Sequence, residues 1–188
     1  MKIRHYKKSD REYLKKICVE TASPAFQANE KTREAVCVLF NDYYTDHEPE
    51  SIFVAVGDDN IPFGYILCGK DAQRMIRLMH VEYLPKLVGF KDEEIAWYEG
   101  YLQSNLRYID KYPAHLHIDI LEGHQRQGIG HQLVDALVTH LKEKKIKGLF
   151  LIVSRDNEKG VCFYRKYGFK EIDSTDGSLV MALDLSVE

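Results

Sequence analysis

No apolar run in this sequence approaches the ~20 residues that a membrane-spanning helix requires. The first ten residues, MKIRHYKKSD, lack the apolar core of a secretory signal. Neither a leader nor a membrane partner is therefore expected. Blocks of like charge are missing too: 26 basic residues are interspersed with 29 acidic ones, giving a formal net charge of −3, so no nucleic-acid partner is expected. Cysteine is sparse and scattered. Cys18, Cys37, Cys68 and Cys162 form no C-x-x-C pair and fall within apolar periodic segments, which reads as buried free thiols in a reducing compartment and not as a disulfide frame. Repeats, low-complexity tracts and long linkers are also absent. What is present is a 188-residue chain, 45% hydrophobic and 29% charged. That suits one domain over 1–188 with its own core, in the cytoplasm.

Hydrophobic periodicity divides the chain into alternating elements. KIRHY reads as a first strand. Ser9 or Asp10 can cap a helix to about Thr21, with Tyr13, Leu14, Ile17 and Cys18 inward. Val36, Leu39, Phe40 and Tyr43 predict a helix over about Thr32–Tyr44, and SIFVAVGDDNIPFGYILCG reads as two strands joined at Asp58–Asn60. Residues 71–112 form a helical insertion. One helix should stop at Pro85, and a second should run from Asp92 to Lys111, with Ile95, Tyr98, Leu102, Leu106 and Ile109 at helical spacing. A strand at Ala114–Leu121, a helix from Ile129 and a strand at Gly148–Val153 form a crossover unit whose strands should be parallel neighbours. A short helix at Asn157–Lys166 and strands at Phe169–Ile172 and Ser178–Leu185 complete an α/β chain with a mixed sheet.

The crossover helix opens on HQRQGIGHQLV, with two glycines two residues apart. Glycine inside a helix costs about 1 kcal/mol relative to alanine, so Gly128 and Gly130 belong to its N-terminus. Unpaired N–H groups there make an anion site that Arg126 would reinforce. The stretch lacks the Gly-Lys-Ser/Thr of a P-loop and the third glycine of a dinucleotide fingerprint, which would fall at Leu133. Read alone, the two glycines equally suit a tight turn or close helix packing.

The next stretch adds a second motif. Gln125, Gly128 and Gly130, followed by Asn157 and then Phe163, Tyr164, Gly168 and Phe169, resemble the two signatures of the GNAT superfamily of N-acetyltransferases. YPAHLHIDILEGHQRQGIG is similar, more narrowly, to the acetyltransferase-like domain of O-GlcNAcases and its free-standing bacterial relatives. The resemblance implies a mostly antiparallel mixed sheet with a central splayed parallel pair and helices on both faces. It implies acetyl-CoA as cosubstrate, held by main-chain amides from Gln127 through Gly128, Ile129 and Gly130 to His131, by Gln125, Arg126 and Asn157, and by the backbone at Ile118 and Ile120. It also implies direct attack of a primary amine on the thioester, with Tyr164 protonating the leaving thiolate.

The base for the amine is read from the residues. His115, His117 and Asp119 alternate along one strand and share a face. Asp119 or His117 could take the proton, or Asp119 could simply orient His117. A metal held by these three with His124 or His131 is disfavoured, because strand neighbours two apart lie about 7 Å from one another. Trp97 and Tyr101, with Tyr108, share a helix flank. They are candidates to bind a small-molecule or peptide amine, to form a homodimer surface, or to pack inward. The rival to an N-acetyltransferase is a non-catalytic module on the same fold that recognises a peptide or sugar.

Overall fold

Arg4, in β1 (Lys2–His5), grips the Asp10 carboxylate at 2.7 and 2.9 Å, and the Lys7 N–H donates to it at 2.7 Å. Asp10 thus ties the first strand to the start of α1 (Arg11–Thr21) by turning back to Lys7, without capping the helix amides directly. Leu14, Ile17 and Cys18 are buried on α1 as expected, but Tyr13 is exposed, one residue off the buried stripe. This is a computed structural model, and it describes residues 1–175 and 177–186, without the side chains of Trp97 and Thr175.

After the short α2 (Pro24–Gln27), which periodicity did not reveal, the chain is helical from Glu30 to His47: α3 (Glu30–Cys37), a π-helical turn at Val38–Asp42 and α4 (Tyr43–His47). Bonding i→i+5 adds a residue to the turn and shifts the helical phase of the residues beyond it. Leu39 and Phe40, expected to be inward, are only partly buried, while Asn41 is fully buried. The strands β2 (Phe53–Val56) and β3 (Pro62–Gly69) are buried on both faces.

The insertion begins with α5 (Ala72–Leu78) and a second π-helical turn, Met79–Tyr83. The helical run ends at Tyr83, just before Pro85, as expected. Pro85 sits at the start of the tight turn Leu84–Lys86, where its missing N–H is not needed. The helix α6 (Asp92–Ser104) ends earlier than predicted, giving way to a tight turn at Asn105–Arg107. Tyr108 therefore leaves the flank assigned to it. Its hydroxyl donates to Asp173 at 2.6 Å and its ring packs on Phe150.

The strands β4 (Ala114–Ile120), β5 (Gly148–Ser154), β6 (Lys170–Thr175) and β7 (Ser178–Asp184) complete the sheet, with α7 (Ile129–Glu143) and α8 (Glu158–Tyr167) between them. Among the described residues the seven strands run in the order β1-β2-β3-β4-β5-β7-β6. All neighbours are antiparallel except β4 and β5. One face carries α1 and α3–α6, with Leu14, Ile17, Tyr43 and Leu102 packed on Val54, Tyr65 and Leu67. The other carries α7 and α8, with Leu133, Leu137 and Val161 packed over Ile66, Leu116 and Leu151. Cys18, Cys37 and Cys68 are buried free thiols, but Cys162 is exposed. It lies on the outward side of α8, against the reading that placed all four in the core.

Candidate active site

The parallel pair β4–β5 is joined only at Ala114↔Leu149 and His115↔Phe150. Beyond His115 the strands part, while the other edge of β4 stays paired with β3 as far as Gly64↔Ile120. From Leu116 to Ile120 the β5-facing backbone edge of β4 has no strand partner among the described residues, and a ligand with amide groups can pair with it. Residues 117–120 are accordingly half-buried, whereas the first three residues of β4 are buried.

The split leads into the loop before α7. Gln125 Nε2 donates to the Ile120 carbonyl at 3.0 Å, and Gln127 Nε2 donates to that of Gly123 at 3.2 Å, so both glutamines shape the loop with their side chains. The backbone is left-handed at Gly123, Arg126 and Gly128, with φ of +88°, +62° and +76°. Gly128 is the N-cap of α7, and no side chain caps the helix there. A Cβ on Gly128 would meet nothing within 4 Å, whereas one on Gly130 would sit 3.0 Å from the Phe163 ring. The two glycines thus have different duties. Gly128 makes the left-handed turn and leaves open space above the N–H groups of the first turn, an arrangement that fits a pyrophosphate. Gly130 lets α7 lie against α8. Exposed His131 adds an edge contact to Phe163.

Asn157 is the N-cap of α8, its Oδ1 accepting from the Gly160 N–H at 2.9 Å. Further along the helix comes the pair Phe163–Tyr164, and Tyr164 is wedged between Phe163 and Phe169. Its hydroxyl has no hydrogen bond among the described residues. Burial, and after it the negative charge of Asp119, raises the Tyr164 pKa well above that of an ordinary phenol. This group keeps its proton at neutral pH, and the Asp119 field links α8 to β4.

On β4, His117 Nε2 and Asp119 Oδ2 are 2.9 Å apart, with both side chains retaining some exposure. The same Oδ2 accepts from the Tyr65 hydroxyl at 2.6 Å. Burial works against the charge on Asp119, but the His117 charge, the contacts from His117 and Tyr65 and the nearby Thr21 hydroxyl outweigh it and hold the carboxyl below its usual range. The Phe40 ring stacks on His117, centroids 5.5 Å apart and 21° between planes. Tyr98 meets Phe40 edge-on and Tyr101 stacks on Tyr98. Tyr101 therefore sits two rings behind the imidazole, and the side chain of Trp97 lies outside the described residues.

His115 is separated from this pair. It is buried, its Nδ1 lies 3.1 Å from the Tyr44 hydroxyl, and burial followed by the His117 charge lowers its pKa to about 3. Phe63 stacks on His124, 4.1 Å away. Among the described residues no group of three or more His, Cys, Asp or Glu could hold a metal ion. Tyr65, Phe40 and Thr21 are the neighbours that sequence reasoning missed. Tyr65 lies directly opposite Asp119, a register that only the paired strands reveal.

Residues 15–169 match the model of the Acetyltransferase (GNAT) family. The chain belongs to this family. Among solved structures, this GNAT chain is similar to SsHAT, at 27% identity over 98% of both chains and a TM-score of 0.86. It shares its fold with the ribosomal-protein-S18-alanine N-acetyltransferase of Escherichia coli, at 16% identity over 100% of this chain and 95% of that one, TM-score 0.58. It also shares it with the PaiA N-acetyltransferase of Thermoplasma acidophilum in complex with coenzyme A, at 17% identity over 97% and 98%, TM-score 0.60. The family's cosubstrate is acetyl-CoA, and the open α7 N-terminus beside the free β4 edge fits it. The narrower likeness to O-GlcNAcase domains rests on the residues 112–130 stretch alone. Among the described residues no helix is long and apolar enough to cross a membrane.

Proposed function

We propose that this GNAT chain transfers an acetyl group from acetyl-CoA to a primary amine by direct attack. The observation that carries this reading is the His117–Asp119 pair at the mouth of the β4–β5 split, within the electrostatic reach of a protonated Tyr164. Bound acetyl-CoA supplies the acetyl group as an activated thioester. The backbone amides from Gln127 to His131 and the Arg126 guanidinium hold its pyrophosphate, the β4 edge at Ile118 and Ile120 lines its pantetheine arm, and Asn157 supports α8 alongside.

The acceptor amine must shed a proton, since an alkylammonium has a pKa near ~10.4. An imidazole that donates Nε2–H to Asp119 keeps its lone pair on Nδ1. Nδ1 has no hydrogen-bond partner among the described residues, so it is the atom that accepts the amine proton. Asp119 orients the ring and stabilises the imidazolium. The Tyr164 hydroxyl retains a proton for a departing thiolate. Phe40, supported by Tyr98 and Tyr101 of the insertion, walls the acceptor side of His117 and favours a cationic amine through its ring face.

The test is calorimetry with acetyl-CoA, followed by thiol release with a panel of small-molecule and peptide amines. Binding and turnover that His117→Ala abolishes without loss of binding support the reading. Tight binding with no turnover on any amine would recast the chain as a recognition module on the same fold, and no binding at millimolar acetyl-CoA would remove the cosubstrate from this site.

A further inference from the structure

The register of β3 on β4 places Tyr65 directly across from Asp119, on the face where His117 also lies. Cross-strand neighbours of this kind touch side chain to side chain. Here the contact is a 2.6 Å hydrogen bond from the Tyr65 hydroxyl to Asp119 Oδ2, the oxygen that also faces His117 Nε2 at 2.9 Å. One carboxylate oxygen therefore holds two donors, one from each strand. Tyr65 itself is completely buried, in the middle of a fully covered strand.

We propose that Tyr65 is a positioning residue that fixes the Asp119 carboxylate and sets the basicity of His117 through it. This rests on the reading of His117 as the base. The argument is geometric and electrostatic. A carboxylate can rotate about its last bond and present either oxygen, and a phenol held rigidly in the sheet removes that freedom. A hydrogen bond to a charged acceptor also takes up part of its charge. Less negative charge is then available to stabilise an imidazolium, so His117 loses its proton at a lower pH than it would beside an unbonded carboxylate. Burial and the Asp119 charge push the Tyr65 phenol far above its ordinary range, so it stays a donor throughout the working range.

Other groups around the pair come from several elements. Cys18 and Thr21 reach it from α1, with Cys37 of α3 next to Cys18 behind it. Tyr164 approaches from α8 and His115 precedes it on β4. Among these described groups Asp119 is the sole carboxylate, and the Tyr65 bond to it, at 2.6 Å, is shorter than the 2.9 Å contact from His117.

The experiment compares wild type, Tyr65→Phe and His117→Gln. Tyr65→Phe keeps the ring and removes only the hydroxyl. The expected result is an acid limb of the kcat/KM profile, and an NMR titration of the His117 imidazole, both displaced upward by about half to one pH unit. On the acid side of the profile the activity should fall about three- to tenfold and recover at higher pH, with acetyl-CoA affinity unchanged. A uniform loss of kcat with no displacement of either titration would reduce Tyr65 to packing and overturn the proposal. If His117→Gln keeps the wild-type profile, the base assignment fails, whatever Tyr65 does. Should Tyr65→Phe not fold, the wild-type protein still decides: a downfield Tyr65 hydroxyl proton that moves in Asp119→Asn supports the bond, and its absence refutes it.

Discussion

Tyr164 and His115 are both buried, and burial gives them opposite fates. In Tyr164 it keeps a proton on a group whose use is to give one away, and Tyr164→Phe removes that proton while leaving the ring between Phe163 and Phe169. The expected outcome is a kcat lower by about 10²-fold or more with an unchanged Kd for acetyl-CoA, read in single-turnover kinetics. In His115 burial expels a proton. Its pKa is about 3 in the folded protein and near 6.5 when unfolded. Between those values the unfolded chain binds the extra proton, so stability is fully present above about pH 6.5 and drains away as the pH falls toward 3. The slope contributed approaches about 1.4 kcal/mol per pH unit. Burial depresses the His140 pKa as well, so it adds to the same window, whereas the depressed carboxylates Asp10, Asp46 and Asp119 lose their share only below about pH 4. Urea titrations at pH 7, 6 and 5 should show a shallower decline in His115→Gln than in wild type. Equal slopes would mean that His115 is already protonated in the native protein.

At the scale of elements, the entry to α7 contains two glycines that a motif match treats alike and the structure separates. Any L-residue at Gly128 adopts a left-handed conformation at a cost of about 1–2 kcal/mol, but its side chain points into open space. Gly128→Val is therefore expected to lower the melting temperature modestly and to reduce acetyl-CoA affinity strongly, because the added branches occupy the approach to the helix amides. Gly130→Val should do the reverse. Its Cβ meets Phe163 at 3.0 Å, and such overpacking costs about 1–3 kcal/mol, while the folded fraction keeps much of its affinity. Melts paired with calorimetry on the two variants check this. The same pattern of loss in both would contradict the division of labour.

At the scale of the whole molecule, the insertion reaches the site through a relay of rings. Tyr101 stacks on Tyr98, Tyr98 meets Phe40, and Phe40 covers His117. The π-helical turn at Val38–Asp42 rotates Phe40 into partial exposure above the imidazole. Phe40→Ala should raise the KM for the amine about tenfold or more through lost ring contact, with acetyl-CoA affinity unchanged. Tyr101→Ala should show mainly as lost stability, because Tyr101 supports the stack from behind. Thermal melts and amine kinetics on both variants distinguish a wall from its buttress. If Tyr101→Ala raises the amine KM without destabilising the chain, the acceptor touches the insertion directly.

Several features were legible in the amino-acid order because they depend on local chemistry. Alternation along Ala114–Ile120 assigned His115, His117 and Asp119 to one face, and the apolar stripe after Ile129 marked α7. Both follow from backbone geometry that a short segment dictates by itself. The glycine and Phe-Tyr signatures flanking that crossover were legible through the resemblance to the GNAT superfamily. The partners across the sheet were not legible. Tyr65 and Asp119 are 54 residues apart, Tyr44 and His115 are 71 apart, and neither pair leaves a trace in periodicity. The phase shift at Val38–Asp42 escaped because a π-helical turn preserves the look of a helix while changing which residues face inward. Local order thus determined the elements and the turn that opens onto an anion. Strand register, the β4–β5 split and the packing of α1–α6 decided which of three ionisable groups on one strand is sealed and neutral and which two stay partly exposed at an open cleft. Burial and long-range pairing, which set protonation, exist only once the chain has folded.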